Sequence, residues 1–168
     1  MHYVYCPVCG RKLEEKNAGD DGKVPYCENC GRYWFDSFST CVIILVADEQ
    51  HEIALLRQEY LSDRYSSLVS GYMSPGESAE DAAIREVREE LGIPVEKPEL
   101  VGTYWFGTRE MLMIGFIARV KKCEFRLSEE VDSASWVPAE EVPKYLFPKA
   151  PGNAAFALYE YYQLRYAL

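Results

Sequence analysis

The chain has 168 residues, of which 48% are hydrophobic, and its formal net charge is −9. This length is enough for one ordinary domain with a sizeable core and a small appendage. The negative charge argues against binding of a polyphosphate backbone along a basic stripe, but it leaves open a nucleotide substrate whose charge is met by a metal ion.

No targeting or membrane segment is recognisable in the sequence. The N-terminal residues MHYVYCP lack the charged and apolar regions of a signal peptide. The longest apolar run, residues 41–47, is too short to span a bilayer. We therefore expect a cytoplasmic protein that has no membrane partner.

Four of the six cysteines form two CxxC pairs near the N-terminus. They are Cys6, Cys9, Cys27 and Cys30. In a cytosolic chain this spacing is typical of a tetrahedral Zn²⁺ site with four thiolate ligands, and two disulfides or two redox pairs are the alternatives. Residues 1–35 are therefore predicted to form a zinc ribbon, whose metal supplies the folding free energy that so small a core cannot. The segment is not strongly basic, so its predicted role is structural. Cys41 and Cys123 are expected to be buried thiols.

Residues 38–168 alternate strand-like segments with two helical ones. The β-branched run at 41–48 and the segment at 53–57 predict a hairpin of buried strands. A polar, aromatic loop follows at 58–65. Further elements are predicted in chain order: strands at 67–70, 100–108, 111–120 and 134–137, and a last helix at 153–166. This order predicts an α/β fold in which a mixed sheet lies between helices.

The stretch GYMSPGESAEDAAIREVREELGI, residues 71–93, contains the most specific pattern in the chain. Ser78 is a plausible N-cap, and Gly92 is a natural C-terminal residue for a helix that ends near Leu91. At about 100° per residue, three carboxylates share one helix face and three apolar residues share the other. The carboxylates are Glu86, Glu89 and Glu90, and the apolar residues are Ile84, Val87 and Leu91.

Like charges on one helix face repel, so this arrangement favours a bound cation. Carboxylate oxygens suit Mg²⁺ or Mn²⁺. The alternative is an acidic helix face exposed to solvent, which is common on protein surfaces.

The spacing G-x5-E-x7-R-E-V-x-E-E-x-G-I resembles the Nudix box, the signature of the Nudix hydrolases. The resemblance covers about residues 38–168 and implies an α/β/α sandwich that hydrolyses a nucleoside diphosphate linked to another group. It implies that Glu86, Glu89 and Glu90 are ligands of Mg²⁺ or Mn²⁺. By the same resemblance Arg85 orients these glutamates, and Glu77 supports the loop or a further metal.

A four-cysteine ribbon before a Nudix domain is similar to the bacterial NADH pyrophosphatases. That resemblance implies that Tyr72 stacks on the nicotinamide, that Glu130 is an additional glutamate of the metal site, and that a backbone amide near Ala155 meets the substrate. The substrate motif of that family is rich in proline, whereas residues 103–110 here, TYWFGTRE, contain none. Trp105 and Phe106 remain candidates to stack on a base, with core packing as the alternative. Because neighbours in a strand point to opposite faces, we expect at most one of them to contact the ligand.

Three hypotheses for function follow. The first is hydrolysis of NADH or NAD⁺ to NMN(H) and AMP, with Glu89 or Glu130 as the general base and the NAD cap of RNA as a further substrate. The second is a Nudix hydrolase for ADP-ribose or another nucleotide-sugar type of substrate. The third is a non-catalytic regulator that binds nucleotide. The tyrosines of the last helix fit ordinary packing or a subunit contact, and we expect a homodimer.

Overall fold

The computed structural model describes residues 2–166 and divides the chain into two compact units, Met1–Phe38 and Ser39–Leu168. The first unit is a small three-stranded antiparallel sheet. Its strands are β1 (Glu14–Asn17), β2 (Lys23–Cys27) and β3 (Arg32–Tyr33). The polar segment between the two CxxC pairs therefore forms much of a hairpin, whose tip is a single 3-10 turn at Gly19–Asp21.

The second unit has a mixed sheet of six strands and two helices. In chain order its elements are β4 (Ser39–Ala47), β5 (Glu52–Arg57), β6 (Val69–Tyr72), α1 (Ala79–Leu91), β7 (Glu99–Phe106), β8 (Met111–Arg119), β9 (Ser133–Pro138) and α2 (Ala154–Tyr166). The strand order is β7-β8-β4-β5-β9, with β6 paired to β4. The β4–β8 pair is parallel and the other pairs are antiparallel. This is the α/β fold with a mixed sheet that the sequence predicts.

The central strand β4 explains why the core has two layers. Along it, Val42, Ile44 and Val46 pack into a cluster that includes Val87 and Leu91 of α1. The alternate residues, Ile43, Leu45 and Ala47, pack into a second cluster that includes Leu158 and Tyr162 of α2. A strand that is covered on both faces reads as a continuous apolar run, which is how this segment appears in the sequence.

Three local predictions differ from the structure. The strand expected at 67–70 instead spans Val69–Tyr72, because Gly71 and Tyr72 pair with β4. The strand expected to reach residue 108 ends at Phe106, where a 3-10 turn at Gly107–Arg109 leads into β8. Cys41 is buried as expected, but Cys123 is exposed, because it lies in an irregular segment rather than in a strand.

Candidate active site

Helix α1 begins and ends at the residues that local sequence signals indicate. The Ser78 hydroxyl oxygen accepts a hydrogen bond from the Asp81 N–H at 3.1 Å and donates one to the Asp81 carboxylate at 2.7 Å. Gly92 has φ 70°, and its N–H bonds the carbonyl of Arg88 at 3.0 Å. Between these caps the helix buries Val87 and Leu91 against the sheet and places the Glu86 carboxylate against Gly71 of β6.

Arg85 is the hub that holds three of the glutamates. Its Nε and Nη2 donate to the two oxygens of Glu77 at 3.1 and 2.7 Å. Its Nη1 donates to Glu86 at 2.7 Å and to Glu89 at 3.0 Å, and Nη2 also donates to the carbonyl of Tyr72 at 3.1 Å. These bonds raise the pKa of Arg85, the hydrogen bonds to Glu77 most of all. The arginine therefore ties the loop before the helix to the helix itself.

Glu77 is used within this loop. One of its oxygens accepts both from Arg85 and from the N–H of Ser74. The Arg85 hydrogen bonds, aided by the Ser74 N–H, lower the pKa of the Glu77 carboxyl. Glu77 therefore links Arg85 to the backbone of the loop before α1.

Two of the three helix carboxylates lie inside the protein. Glu86 is 8% exposed and Glu90 is 5% exposed, whereas the side chain of Glu89 is 52% exposed. Burial, together with the neighbouring carboxylates of Glu86 and Glu130, raises the pKa of Glu90 to about 8. The alternative prediction, an acidic helix face exposed to solvent, is therefore wrong for Glu86 and Glu90.

One oxygen of Glu90 lacks a hydrogen-bond donor in the described part of the chain. Its Oε2 is buried and has no hydrogen-bond partner among the described residues. The Ser70 N–H and the Gln58 side chain act in the opposite direction to burial and favour the charged carboxylate. A buried carboxylate oxygen without a donor, close to other carboxylates, is costly unless a cation or a proton accompanies it.

These residues fit a hard divalent cation. Carboxylate oxygens are the ligands that Mg²⁺ and Mn²⁺ prefer, and Glu86, Glu89 and Glu90 supply them from one helix face. Glu86 and Glu89 share one nitrogen of Arg85, so the arginine sets where both carboxylates stand. Among the described residues, the four cysteines are the only group of three or more His, Cys, Asp or Glu side chains whose ligand atoms all lie within 4.8 Å of one another.

A cleft of about 1410 Å³ opens beside these carboxylates. Most of the site residues predicted from the sequence line this cleft. Those in its wall are Tyr72, Arg85, Glu86, Glu89, Phe106, Glu130 and Ala155. Trp105, Glu77 and Glu90 are not among the described residues of the wall. Phe106 faces the cleft and its strand neighbour Trp105 does not, as the alternation of side chains along β7 requires.

The loop before α2 forms one side of the cleft. Asn153 caps the helix, because its Oδ1 accepts from the Phe156 N–H at 3.1 Å. Its Nδ2 donates to the carbonyls of Phe147 and Pro148 at 3.1 and 3.0 Å. Gly152 has φ 79°, and a Cβ there would lie 2.8 Å from the carbonyl of Trp105. The Asn153 hydrogen bonds and the close approach of Gly152 to β7 hold this loop in place. Ala155 lies in the first turn of the helix that follows.

Several residues of the site were not selected from the sequence. Gln58, assigned to a polar loop, is only 3% exposed, and its Oε1 accepts from the Ser67 hydroxyl at 2.9 Å. Cys41 lines the cleft, and burial raises the pKa of its thiol to about 11, with Glu86 adding to the effect. Tyr60 also lies in the cleft wall. No local pattern marks these residues as part of the site, because tertiary packing brings them there.

The first unit contains the second candidate metal centre. The sulfurs of Cys6, Cys9, Cys27 and Cys30 all lie within 4.8 Å of one another. All four cysteines are free, which disagrees with the disulfide alternative. Gly10 and Gly31 follow the two pairs with φ 72° and 63°, the left-handed conformation that glycine adopts without strain. The cluster is compatible with a structural Zn²⁺ bound by four thiolates.

Comparison with known proteins identifies relatives of this chain. The model of the NUDIX domain matches residues 38–158. The chain is 30% identical over 143 residues to the NAD-capped RNA hydrolase NudC of Pseudomonas aeruginosa, an alignment that covers 84% of this chain and 50% of that protein. It is 35% identical over 166 residues to Nudix hydrolase 19, chloroplastic, of Arabidopsis thaliana, covering 90% of this chain and 37% of the relative. The chain spans about half the length, or less, of the curated relatives it matches.

Solved structures share the fold. A NUDIX hydrolase from Nitrosomonas europaea superposes with a TM-score of 0.77 at 20% identity, covering 98% of this chain and 92% of that one. The NUDIX domain of Shewanella oneidensis NrtR, solved with ADP ribose, gives a TM-score of 0.63 at 13% identity, covering 83% of this chain and 94% of that one. None of the helices described between residues 2 and 166 is long and apolar enough to cross a membrane.

Proposed function

The chain belongs to the NUDIX domain family, and from that premise we propose that it hydrolyses the pyrophosphate bond of a nucleoside diphosphate derivative. The substrate we favour is NADH or NAD⁺, which would give NMN(H) and AMP. The observation that carries the proposal is the pair of buried carboxylates, Glu86 and Glu90, with an unpartnered oxygen on Glu90 beside a large cleft.

We assign the binding of Mg²⁺ or Mn²⁺ to Glu86, Glu89 and Glu90, with Glu130 in the adjoining wall. When bound, such an ion offsets the charge of the diphosphate and lowers the pKa of a water molecule. Arg85 keeps Glu86 and Glu89 in position, since one of its nitrogens bonds both carboxylates. Burial keeps bulk water away from Glu86 and Glu90, which strengthens their electrostatic interactions.

The general base must accept a proton from the attacking water. Glu89 and Glu130 are the candidates, because both lie in the cleft wall and are exposed to solvent. Glu90 is a poorer candidate, because its side chain is buried behind the wall and is held by Ser70 and Gln58. Comparing the pH–rate profiles of Glu89→Gln and Glu130→Gln distinguishes the two, since loss of the base removes the acidic limb of the profile.

The substrate assignment is supported by the size and lining of the cleft. Its volume of about 1410 Å³ exceeds the roughly 300–1,000 Å³ that is usual for small-molecule sites, as a dinucleotide would require. Tyr72 and Phe106 present aromatic rings on which a base or the nicotinamide can stack. The Ala155 N–H belongs to the first turn of α2, where backbone donors have no partner within the helix, so it is available to the substrate.

Relatives that share about 30% of the sequence are named NAD-capped RNA hydrolase, which favours an NAD-related substrate. We therefore include the NAD cap of RNA as a second substrate. A specific observation also favours ADP-ribose or a nucleotide sugar: residues 103–110, which lead through the end of β7 into the wall at Phe106, contain no proline. The unpartnered oxygen of Glu90 argues against a non-catalytic regulator, because nucleotide binding alone does not require a buried acid.

The proposal is tested by incubating the protein with NAD⁺, NADH, ADP-ribose, FAD and nucleotide sugars, each with Mg²⁺ or Mn²⁺, and separating the products by chromatography. We expect NMN(H) and AMP from NAD(H), and turnover that depends on the divalent ion. Cleavage of ADP-ribose in preference to NAD(H) would support the second candidate, and cleavage of no compound would support a regulator.

We further propose that the protein is cytoplasmic and forms a homodimer through α2. Leu164 on that helix is 91% exposed, which is unusual for a large apolar side chain and consistent with a subunit contact. A monomeric mass in light scattering at micromolar concentration would refute the dimer.

A further inference from the structure

The cleft is strongly acidic, although its proposed substrate is an anion. Six carboxylate side chains line it, and they are Glu59, Glu86, Glu89, Glu129, Glu130 and Asp132. Two arginines, Arg85 and Arg109, are the cations among its described wall residues. A bound divalent ion would offset part of this negative charge, but the diphosphate also needs donors that fix its orientation.

All N–H donors of the Arg85 side chain are already used within the protein. A guanidinium group carries five N–H donors, and Arg85 makes five hydrogen bonds, to Glu77, Glu86, Glu89 and the carbonyl of Tyr72. Turning it toward a substrate would break bonds that hold the carboxylates in place. Arg85 therefore positions the carboxylates and does not bind the substrate.

Arg109 is in the opposite situation. It is exposed to solvent in the cleft wall, and among the described residues it makes no hydrogen bond and no ion pair. It lines the same cleft as Glu86, Glu89 and Glu130, the carboxylates assigned to the metal site, so a diphosphate beside that site is within the cleft that Arg109 borders.

The backbone that carries Arg109 is held by two hydrogen bonds. The residue ends the 3-10 turn Gly107–Arg109, which is closed by a bond from the Glu110 N–H to the Gly107 carbonyl at 3.3 Å. The Glu110 carbonyl accepts from the N–H of Ser39 at 3.3 Å, and this bond fastens the turn to the start of β4. A guanidinium on a fixed backbone can bind a phosphate with a smaller loss of conformational entropy than one on a mobile loop.

We propose that Arg109 binds a phosphate of the substrate's diphosphate through its unpaired guanidinium, and so determines substrate affinity. The inference rests on the proposed function, because it takes the substrate to be a nucleoside diphosphate derivative. Arg109 is a binding residue rather than a source or acceptor of protons. Its removal therefore affects KM more than kcat, provided that the ion held by the glutamates still acts on the bond that breaks.

The kinetic test compares the full chain with Arg109→Ala, Arg109→Lys and Lys97→Ala, using NAD⁺ or the substrate found in the panel. Lys97 is exposed and lies outside the described cleft wall, so its removal controls for the loss of one positive charge. A charged hydrogen bond contributes enough that we expect KM to rise roughly 10- to 100-fold in Arg109→Ala, with kcat within about threefold of the wild type. Arg109→Lys should be intermediate, because it keeps the charge but loses the planar fork. A KM in Arg109→Ala within about twofold of the Lys97→Ala value would overturn the inference.

A binding test separates this inference from the proposed function. ADP is titrated calorimetrically into each variant in the presence of Ca²⁺, and this measurement does not depend on turnover. We expect the Kd for ADP to rise in Arg109→Ala by about the same 10- to 100-fold factor, even if the wild type cleaves none of the panel. A wild type that does not bind ADP, or an Arg109→Ala variant that binds it equally well, would overturn the role of Arg109 while the hydrolase activity could still stand.

Discussion

Gly71 and Glu86 cannot both carry a side chain in the space they share. A Cβ at Gly71 would lie 2.1 Å from the carboxylate carbon of Glu86 and 2.1 and 2.3 Å from its two oxygens. Gly71 sits in β6 paired with Val42, and its φ is not positive, so the glycine is required by close approach and not by a strained backbone. The β6 strand thus sets the depth at which the Glu86 carboxylate is buried.

Replacing Gly71 by alanine should therefore displace the Glu86 carboxylate. We expect Gly71→Ala to fold but to lose roughly 10- to 100-fold or more in kcat/KM, as is typical when the support of a metal ligand is lost. Gly102→Ala is the matched control, because the nearest atom to a Cβ there is 3.9 Å away. Activity in Gly71→Ala equal to that of the control would show that the position of Glu86 is unimportant for turnover.

The buried carboxylate of Glu90 provides the second prediction. We expect Glu90→Gln and Glu89→Gln each to remain folded and to lose at least about 100-fold in kcat, since each removes charge that the metal requires. Glu80→Gln, an exposed position on the same helix, should retain full activity. Full turnover in the Glu89→Gln/Glu90→Gln double variant would exclude the helix as the metal site.

Thermal unfolding gives an independent reading of the same variants. An ion that binds only the native state at 100 times its Kd stabilises that state by about 2.7 kcal/mol, which for a chain of this size corresponds to a rise in Tm of roughly 5–10 °C. The wild type and Glu80→Gln should show this rise with Mn²⁺, and the double variant should not. An equal rise in all three proteins would place the ion elsewhere.

Local signals predicted α1 well because the information lies within the helix. The Ser78 cap, the Gly92 terminus and the apolar face that includes Val87 and Leu91 can all be recognised from residues within a few turns. Burial of Glu86 and Glu90 could not be predicted in this way, since periodicity shows which residues share a face and not what covers that face. The covering element is β6, which reaches α1 through its pairing with β4.

The wrong or incomplete predictions have a related cause. The composition of residues 58–65 predicts a polar loop, but tertiary packing buries Gln58 against Ser67. Cys123 was expected to be buried, although the segment after β8 leaves the sheet and exposes it.

The cysteine cluster leads to a third prediction, which concerns folding and not chemistry. Zn²⁺ is predicted to bind with one ion per chain, and chelation should make the segment 1–38 sensitive to protease before the rest of the chain, because so small a unit depends on its metal. Cys27→Ser should lose the zinc, whereas Cys123→Ser, which changes an exposed cysteine outside the cluster, should keep it. Loss of zinc without any change in protease sensitivity would show that the metal is dispensable for the fold of the ribbon.

The last prediction concerns how salt affects the choice between a free dinucleotide and a capped RNA. The net charge of −9 and the acidic wall of the cleft should repel a polyanionic chain more than they repel free NAD⁺. Salt screens such repulsion. Raising the salt concentration from about 50 to 200 mM should therefore leave kcat/KM for an NAD-capped oligonucleotide unchanged or increase that value. A protein that binds the RNA backbone with several cations would instead lose about 10³-fold or more in affinity for the RNA over this range, since counterion release then dominates affinity.

The measurement is kcat/KM for NAD⁺ and for a capped RNA of about 20 nucleotides at both salt concentrations. A steep fall for the RNA alone would reveal a basic binding surface that the charge of this chain does not predict.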